Sequence, residues 1–163
     1  MKNKKLTVAR IVMTLLTTAM IGFIFGNSLM NAEDSSRQSG EILNLINSWL
    51  RMLNAGFGLD SFFVRKAAHF SEYAMLGLLS AVTVFLYAHR RSRLFQFGLP
   101  LCALTAVCDE MIQMFSEGRS CQVSDMLLDC SGALLGTLLV WMFISISEKK
   151  KKRKDSCERA FTE

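Results

Sequence analysis

Residues 107–136 read VCDEMIQMFSEGRSCQVSDMLLDCSGALLG, two apolar stretches that meet across a short polar loop. Each stretch carries carboxylates where a membrane-crossing helix ordinarily has none: Asp109 and Glu110 before the loop, Asp125 and Asp129 after it. An ionised side chain at mid-bilayer costs about 2.5–3.5 kcal/mol on insertion scales, so acids kept at such positions point to function. The fold follows from whether the rest of the chain supplies partners for these two spans.

Working outward, residues 95–115 form the span before the loop. Pro100, the one proline, lies near its start, where a missing N–H costs least. Asp109 and Gln113 are four apart and share a face. Residues 123–146 form the span after the loop. At about 100° per residue, Asp125, Asp129, Gly132 and Gly136 fall within a ~60° arc. That stripe begins as carboxylates and continues as a GxxxG surface suited to close helix contact.

Upstream, Asp60 is placed to cap a helix over residues 61–88. Its first turns hold Arg65, Lys66, His69, Glu72 and Tyr73, and the remainder is nearly all apolar. Arg65, His69 and Glu72 lie within a ~60° arc with Tyr73 beside them, a polar stripe expected to join a buried network. Between Gly40 and the glycines at 56 and 58, residues 41–54 repeat with helical period. Ile42, Leu45, Ile46, Trp49, Leu50 and Leu53 share one face. This segment is too short and too polar to span; it is expected to lie in the membrane interface with Trp49 at headgroup depth. Residues 31–40 read as a polar surface loop.

Lys2, Lys4, Lys5 and Arg10 precede an apolar run over residues 11–30, whose length of about 30 Å as a helix matches the hydrocarbon thickness. A cleaved secretory leader has the same form, with Gly26 and Ser28 as the small residues before the cut. A retained anchor is the expectation. Gly22 and Gly26 make a second GxxxG. The chain thus reads as one all-α domain: an integral membrane bundle of four transmembrane helices plus one interfacial amphipathic helix. Its parts are a basic N-terminus (1–10), a first span (11–30), a loop with the amphipathic helix (31–60), a three-span core (61–146) and a basic tail (147–163), expected to be disordered.

Composition agrees. Of 163 residues 51% are hydrophobic, gathered in long runs separated by charged punctuation. The net charge of +5 is exceeded by the tail run KKKKRK at 149–154 alone, so the basic balance is local and nucleic acid is not an expected partner. That tail is suited to attract anionic lipid. The five cysteines have no CxxC spacing, and no metal or disulfide site is expected from them. Lysines and arginines concentrate before the first span, in HRRSR at 89–93 and in the tail. The positive-inside rule then makes both termini and the arginine loop cytoplasmic, a parity that four spans satisfy. Topology brings Arg65, Lys66, His69, Glu72, Asp109, Glu110, Arg119, Asp125 and Asp129 to one depth at the outer leaflet, where the cations offset several of the acids.

These residues also carry a resemblance. Lys66-Ala67-Ala68-His69-Phe70-Ser71-Glu72-Tyr73-Ala74-Met75-Leu76-Gly77 resembles the K-x-x-H-F-x-x-Y-x-x-L-G signature of VanZ-like membrane proteins. Asp109-Glu110 with Gln113, Phe115, Arg119, Asp125, Asp129, Gly132 and Gly136 resembles the family's second block, which takes Asn as readily as Asp at position 129. The resemblance covers residues 61–141. It implies a small, multi-pass protein of the bacterial plasma membrane, in a family named for a member linked to resistance against teicoplanin, a lipid-tailed glycopeptide. It implies no catalytic residue set.

Three functions are compatible with this pattern. In the first, an outer-leaflet polar pocket binds a lipid-linked or glycopeptide-like ligand, with Arg65, Lys66 and Arg119 meeting its anionic groups and His69, Tyr73, Gln113 and Asp129 shaping the pocket. In the second, an intramembrane enzyme acts on a lipid headgroup or cell-wall precursor. His69 is then its acid or base, and Glu72, Asp109, Glu110 and Asp125 are the further catalytic candidates, orienting it or holding a divalent cation. In the third, the charges only fix helix packing. No residue set indicates a particular cofactor, and one histidine among carboxylates does not by itself assign a metal.

Overall fold

The computed structural model describes residues 2–30, 32–52, 60–116 and 121–160. Helices account for the fold, with no strand among the described residues: α1 (Lys2–Ser28), α2 (Ala32–Met52), α3 (Ser61–Ala88), α4 (Leu99–Gln113) and α5 (Val123–Ala160). Four stretches are long and apolar enough to cross a membrane, Lys4–Ser28, Ser61–Ala88, Leu94–Gln113 and Val123–Lys154. The expected all-α bundle with four spans is what the chain forms.

Local chemistry sets the helix ends. The Asp60 carboxylate accepts the Phe63 N–H at 2.7 Å and starts α3. At the other end His89 turns into the left-handed region (φ 53°), and its N–H closes on the Phe85 carbonyl at 2.9 Å. A π-helical turn at Leu94–Gly98 leads into α4, where Pro100 occupies the first turn. The wider turn accommodates a proline that has no N–H and whose ring crowds the carbonyl four residues back.

Three boundaries differ from the sequence reading. Residues 32–40 do not form the expected loop: α2 begins at Ala32, with Glu33 and Asp34 in its first turn complementing the helix dipole. The tail from 147 is not disordered but continues α5 to Ala160. Lys, Arg and Glu are good helix formers, and a helix already nucleated in the span extends through them. Likewise α1 begins at Lys2, ahead of the apolar run. Gly56 and Gly58, and Arg119 with its neighbours Glu117 and Gly118, lie outside the described residues.

Packing centres on α3 against α5. Gly132 and Gly136 bring α5 onto the carbonyls of Phe70 and Ala74, and Gly77 of α3 meets the backbone of Ala133. Backbones this close leave no room for a Cβ and permit Cα–H···O contacts. Thr137 follows the same seam, donating to the Ala133 carbonyl at 2.9 Å. By contrast, a Cβ at Gly22 or Gly26 would meet nothing within 4 Å, so the GxxxG of α1 packs on none of the described residues. Instead α1 is tied to α3 by polar side chains: Arg10 donates to the Leu86 carbonyl at 2.9 Å, and Thr17 meets Thr83 at 2.9 Å.

The burial pattern is that of a protein solvated by lipid. Val8, Ile11, Leu15 and Phe23 of α1 and Leu127, Leu139, Met142 and Phe143 of α5 are exposed, whereas Asp109, Glu110, Asp129 and Thr137 are fully buried. On α2, Ile42, Leu45 and Trp49 remain exposed as an apolar stripe while the helix lies along α3.

Candidate functional site

The polar residues converge where the C-terminal ends of α1 and α4 meet the N-terminal ends of α3 and α5. Each helix contributes because of its register. On α3, Lys66, Tyr73 and Gly77 fall within ~40° of one another and point into the bundle. His69 and Glu72 lie ~60° and ~120° to one side of Lys66, and Glu72 reaches α1, where Asn27 donates to its carboxylate at 2.9 Å. Asp109 and Gln113, four apart on α4, both face inward and are buried.

Asp109 is the best supported of the acids. Ser28 of α1 donates to its Oδ1 at 2.5 Å, and Gln113 donates to its Oδ2 at 3.2 Å. Gln113 also donates to Ser28 Oγ at 3.3 Å, and the Ser116 hydroxyl caps the Ser28 carbonyl at 2.8 Å, closing a loop of hydrogen bonds between α1 and α4. Glu110 faces α5 instead. Its Oε2 accepts the Gln122 backbone N–H at 2.9 Å, pinning the start of α5 to the end of α4. Its Oε1, fully buried, has no hydrogen-bond partner among the described residues.

Asp125 forms an ion pair with Lys66, both partly exposed at the rim. One turn deeper, Asp129 is fully buried and faces His69, with Nδ1 and Oδ1 3.8 Å apart. That separation is an ionic approach rather than a hydrogen bond. Neither Asp129 oxygen has a hydrogen-bond partner among the described residues, and the same is true of the buried Tyr73 hydroxyl. Tyr73 and Asp129 each lie within the fields of Asp109 and Glu72, so the cluster is electrically one site.

The structure therefore joins Lys66, His69, Glu72, Tyr73, Asp109, Glu110, Gln113, Asp125 and Asp129. Arg65 goes elsewhere. It lines a shallow groove with Ser36 of α2 and with Ser61 and Phe62 of α3. Arg65 shares its arc with His69 and Glu72 but stands nearer the start of α3, beside Ser36 of α2. The ion pairs among the described residues include none from lysine or arginine to Glu110 or Asp129. Sequence reasoning missed Asn27 and Ser28, although two polar residues closing an apolar helix at the depth of the acids were the available signal. Chemically, the arrangement can exchange a proton between His69 and Asp129, accept an anion at Lys66, or ligate a cation.

Four spans with an inverted polarity and an enclosed acidic site define a class: a multi-pass helical membrane protein with a polar site between its spans. The match to the VanZ/LLP1 family model over residues 13–144 goes further, and the chain belongs to that family. The matched region extends beyond the two motif blocks to take in α2 and most of α1, including Ser28. Comparison with curated proteins and with solved structures finds no match.

Proposed function

We propose that this chain is a bacterial plasma-membrane protein whose polar pocket, open toward the outer leaflet, binds a lipid-linked or amphiphilic envelope ligand and thereby contributes to glycopeptide resistance. The observation that carries the reading is the set of buried polar atoms without a hydrogen-bond partner among the described residues, the Tyr73 hydroxyl, both oxygens of Asp129 and Glu110 Oε1. Leaving such groups unsatisfied away from water costs about 1–3 kcal/mol each, a penalty that a bound polar headgroup removes. Lys66 at the rim meets the anionic part of the ligand. The exposed apolar residues beside the pocket, Phe62, Phe115 and Val123, take its hydrocarbon. Orientation follows from the charge bias: both termini are cytoplasmic, which puts this end of the bundle outside.

A second reading, an intramembrane enzyme with His69 as acid or base, is favoured by the approach of His69 to Asp129 at 3.8 Å. The Ser28 hydroxyl is committed to Asp109 instead, which leaves this reading without an assigned nucleophile. Glu110→Gln and His69→Gln, compared with the parent at matched membrane abundance in a host lacking the native protein, test the proposal through teicoplanin susceptibility. Both are expected to raise susceptibility while the protein accumulates normally. Unchanged susceptibility in both would make the cluster a packing device and sink the binding and catalytic readings together.

A further inference from the structure

We propose that the enclosed part of the cluster is a divalent cation site formed by His69, Asp109 and Asp129. One ligand atom from each of these side chains lies within 4.8 Å of the others. Metal–nitrogen and metal–oxygen bonds of about 2.0–2.2 Å place tetrahedral donors roughly 3.4 Å apart, so small side-chain rotations close the set. The donors come from α3, α4 and α5, and a cation here ties the three helices together.

The unsatisfied atoms favour a cation over a proton. An ionised Asp129, fully buried with neither oxygen hydrogen-bonded among the described residues, has only the approach of His69 at 3.8 Å to offset its desolvation. Protonation removes the charge but leaves a buried hydroxyl that itself needs an acceptor. A cation between Asp129 and His69 satisfies the carboxylate and takes the imidazole as its nitrogen ligand. Tyr73 supplies an observation outside the donor set. It stands one turn from His69 on α3, its hydroxyl is buried and lacks a partner among the described residues, and it lies in the fields of both Asp109 and Asp129.

The surroundings resemble the outer shell of a metal centre. Ser28 and Gln113 each hold one oxygen of Asp109, fixing its orientation and leaving further lone pairs for a metal. Asp125 is committed to Lys66, and Glu110 Oε2 to Gln122, which separates the ligating acids from the structural ones. One imidazole with two carboxylates suits Zn²⁺ or Mn²⁺. Ca²⁺ takes six to eight oxygens, and Mg²⁺ prefers carboxylate, phosphate and water. Open coordination positions remain on such an ion. The inference concerns the pocket of the proposed function but requires no amphiphilic ligand.

The test is a titration of the full chain, purified without a histidine tag, stripped with chelator and held in lipid nanodiscs, with Zn²⁺, Mn²⁺, Mg²⁺ and Ca²⁺ separately. Calorimetry and elemental analysis should report one equivalent of Zn²⁺ or Mn²⁺, with Ca²⁺ and Mg²⁺ far weaker. Orienting residues in metal sites are worth about 10–100-fold in affinity, so Gln113→Ala should weaken binding by roughly that factor and Asp129→Asn or His69→Gln by at least about 100-fold. His89→Gln, which removes the other histidine at the far end of the bundle, should bind as the parent does. Circular dichroism and size exclusion select the variants that fold; Asp109→Asn stands in where one does not. Failure of the folded parent to bind any of the four ions at millimolar concentration overturns the proposal, as does equal affinity in the parent and the folded ligand variants. Because no glycopeptide or lipid-linked envelope precursor is present, that failure leaves the susceptibility result to stand or fall by itself.

Discussion

Gly136→Ala is the sharpest test of how α3 and α5 are held. A Cβ built at residue 136 stands 2.7 Å from the Leu78 nitrogen and 3.0 Å from the Ala74 carbonyl carbon, with the Ala74 oxygen nearer still. Ordinary contacts between non-bonded heavy atoms lie at about 3.5–4.0 Å, so the backbones must part locally by roughly 1 Å. Every atom met is main chain, and no rotamer change relieves the overlap. Overpacking of this kind costs about 1–3 kcal/mol. Alanine is also a better helix former than glycine by about 0.8–1 kcal/mol, which masks part of that cost. Gly22→Ala removes the ambiguity: it makes the same chemical change within a helix, at a position where the added carbon meets nothing within 4 Å. The difference between the two variants isolates the clash. At about 2–4 °C per kcal/mol for a chain of this size, Gly136→Ala should melt roughly 2–12 °C below Gly22→Ala, measured by thermal denaturation in matched detergent. His69 and Asp129 face each other across the same seam, so Gly136→Ala should also impair whatever function the cluster serves. Equal melting temperatures for the two variants would refute the backbone contact and with it the register that places the acids together.

Other consequences are open to measurement. Ser28→Ala removes a donor to Asp109 and an acceptor from Gln113, so it should destabilise the protein by about 1–3 kcal/mol in the same assay; no change would mean that α1 is not tied into the site. Lys66→Gln and Asp125→Asn should each cost stability, with the double variant costing less than their sum by roughly 1 kcal/mol; strict additivity would show that the ion pair contributes nothing. Cys121 is exposed beside the cluster and Cys157 is exposed on the far extension of α5. With the proposed orientation, a membrane-impermeant maleimide should label Cys121 on intact cells and Cys157 only after permeabilisation, and the reverse pattern would overturn that orientation.

How far the sequence could be read depended on whether its signals were local. The bounds of α3 were legible to the residue because Asp60 is a cap and the apolar run is unbroken until the HRRSR segment. The start of α2 was not, since residues 32–40 have a polar composition that serves a loop and an exposed helix equally well. The extension of α5 beyond 146 was hidden for a related reason: periodicity is silent in a run of charges, and helicity there is inherited from the span. Within the site, helical spacing placed the polar stripe of α3 but not its rotation against the other helices. The zero of that rotation is set by Gly77, Gly132 and Gly136, and it sends Lys66 to Asp125 while Arg65 turns to Ser36. Ser28 was out of reach for the same reason, because its partners are 81 and 85 residues away and are chosen by packing alone.

Depth explains why so many acids are tolerated. Asp109 and Glu110 lie in the last turns of α4, and Asp125 lies in the first turn of α5, so the carboxylates gather near one end of the spans rather than at their middle. The insertion penalty for an ionisable group falls toward the interface, and the enclosing helices shield the acids from lipid. The four helix ends are not equivalent electrically. The N-termini of α3 and α5 bring positive dipole ends to the cluster, which favours carboxylates, whereas the C-termini of α1 and α4 bring the negative ends of theirs. The acids with donors in place are Asp109 on Ser28 and Gln113 and, nearest the chain reversal, Glu110 on the Gln122 amide and Asp125 on Lys66. The deeper Asp129, a turn into α5 and beyond the reach of that amide, is the one left facing His69 with both oxygens without hydrogen bonds among the described residues. The geometry thus separates acids that build the site from an acid that the fold leaves available, and the available one is where a ligand or an ion has the most to gain.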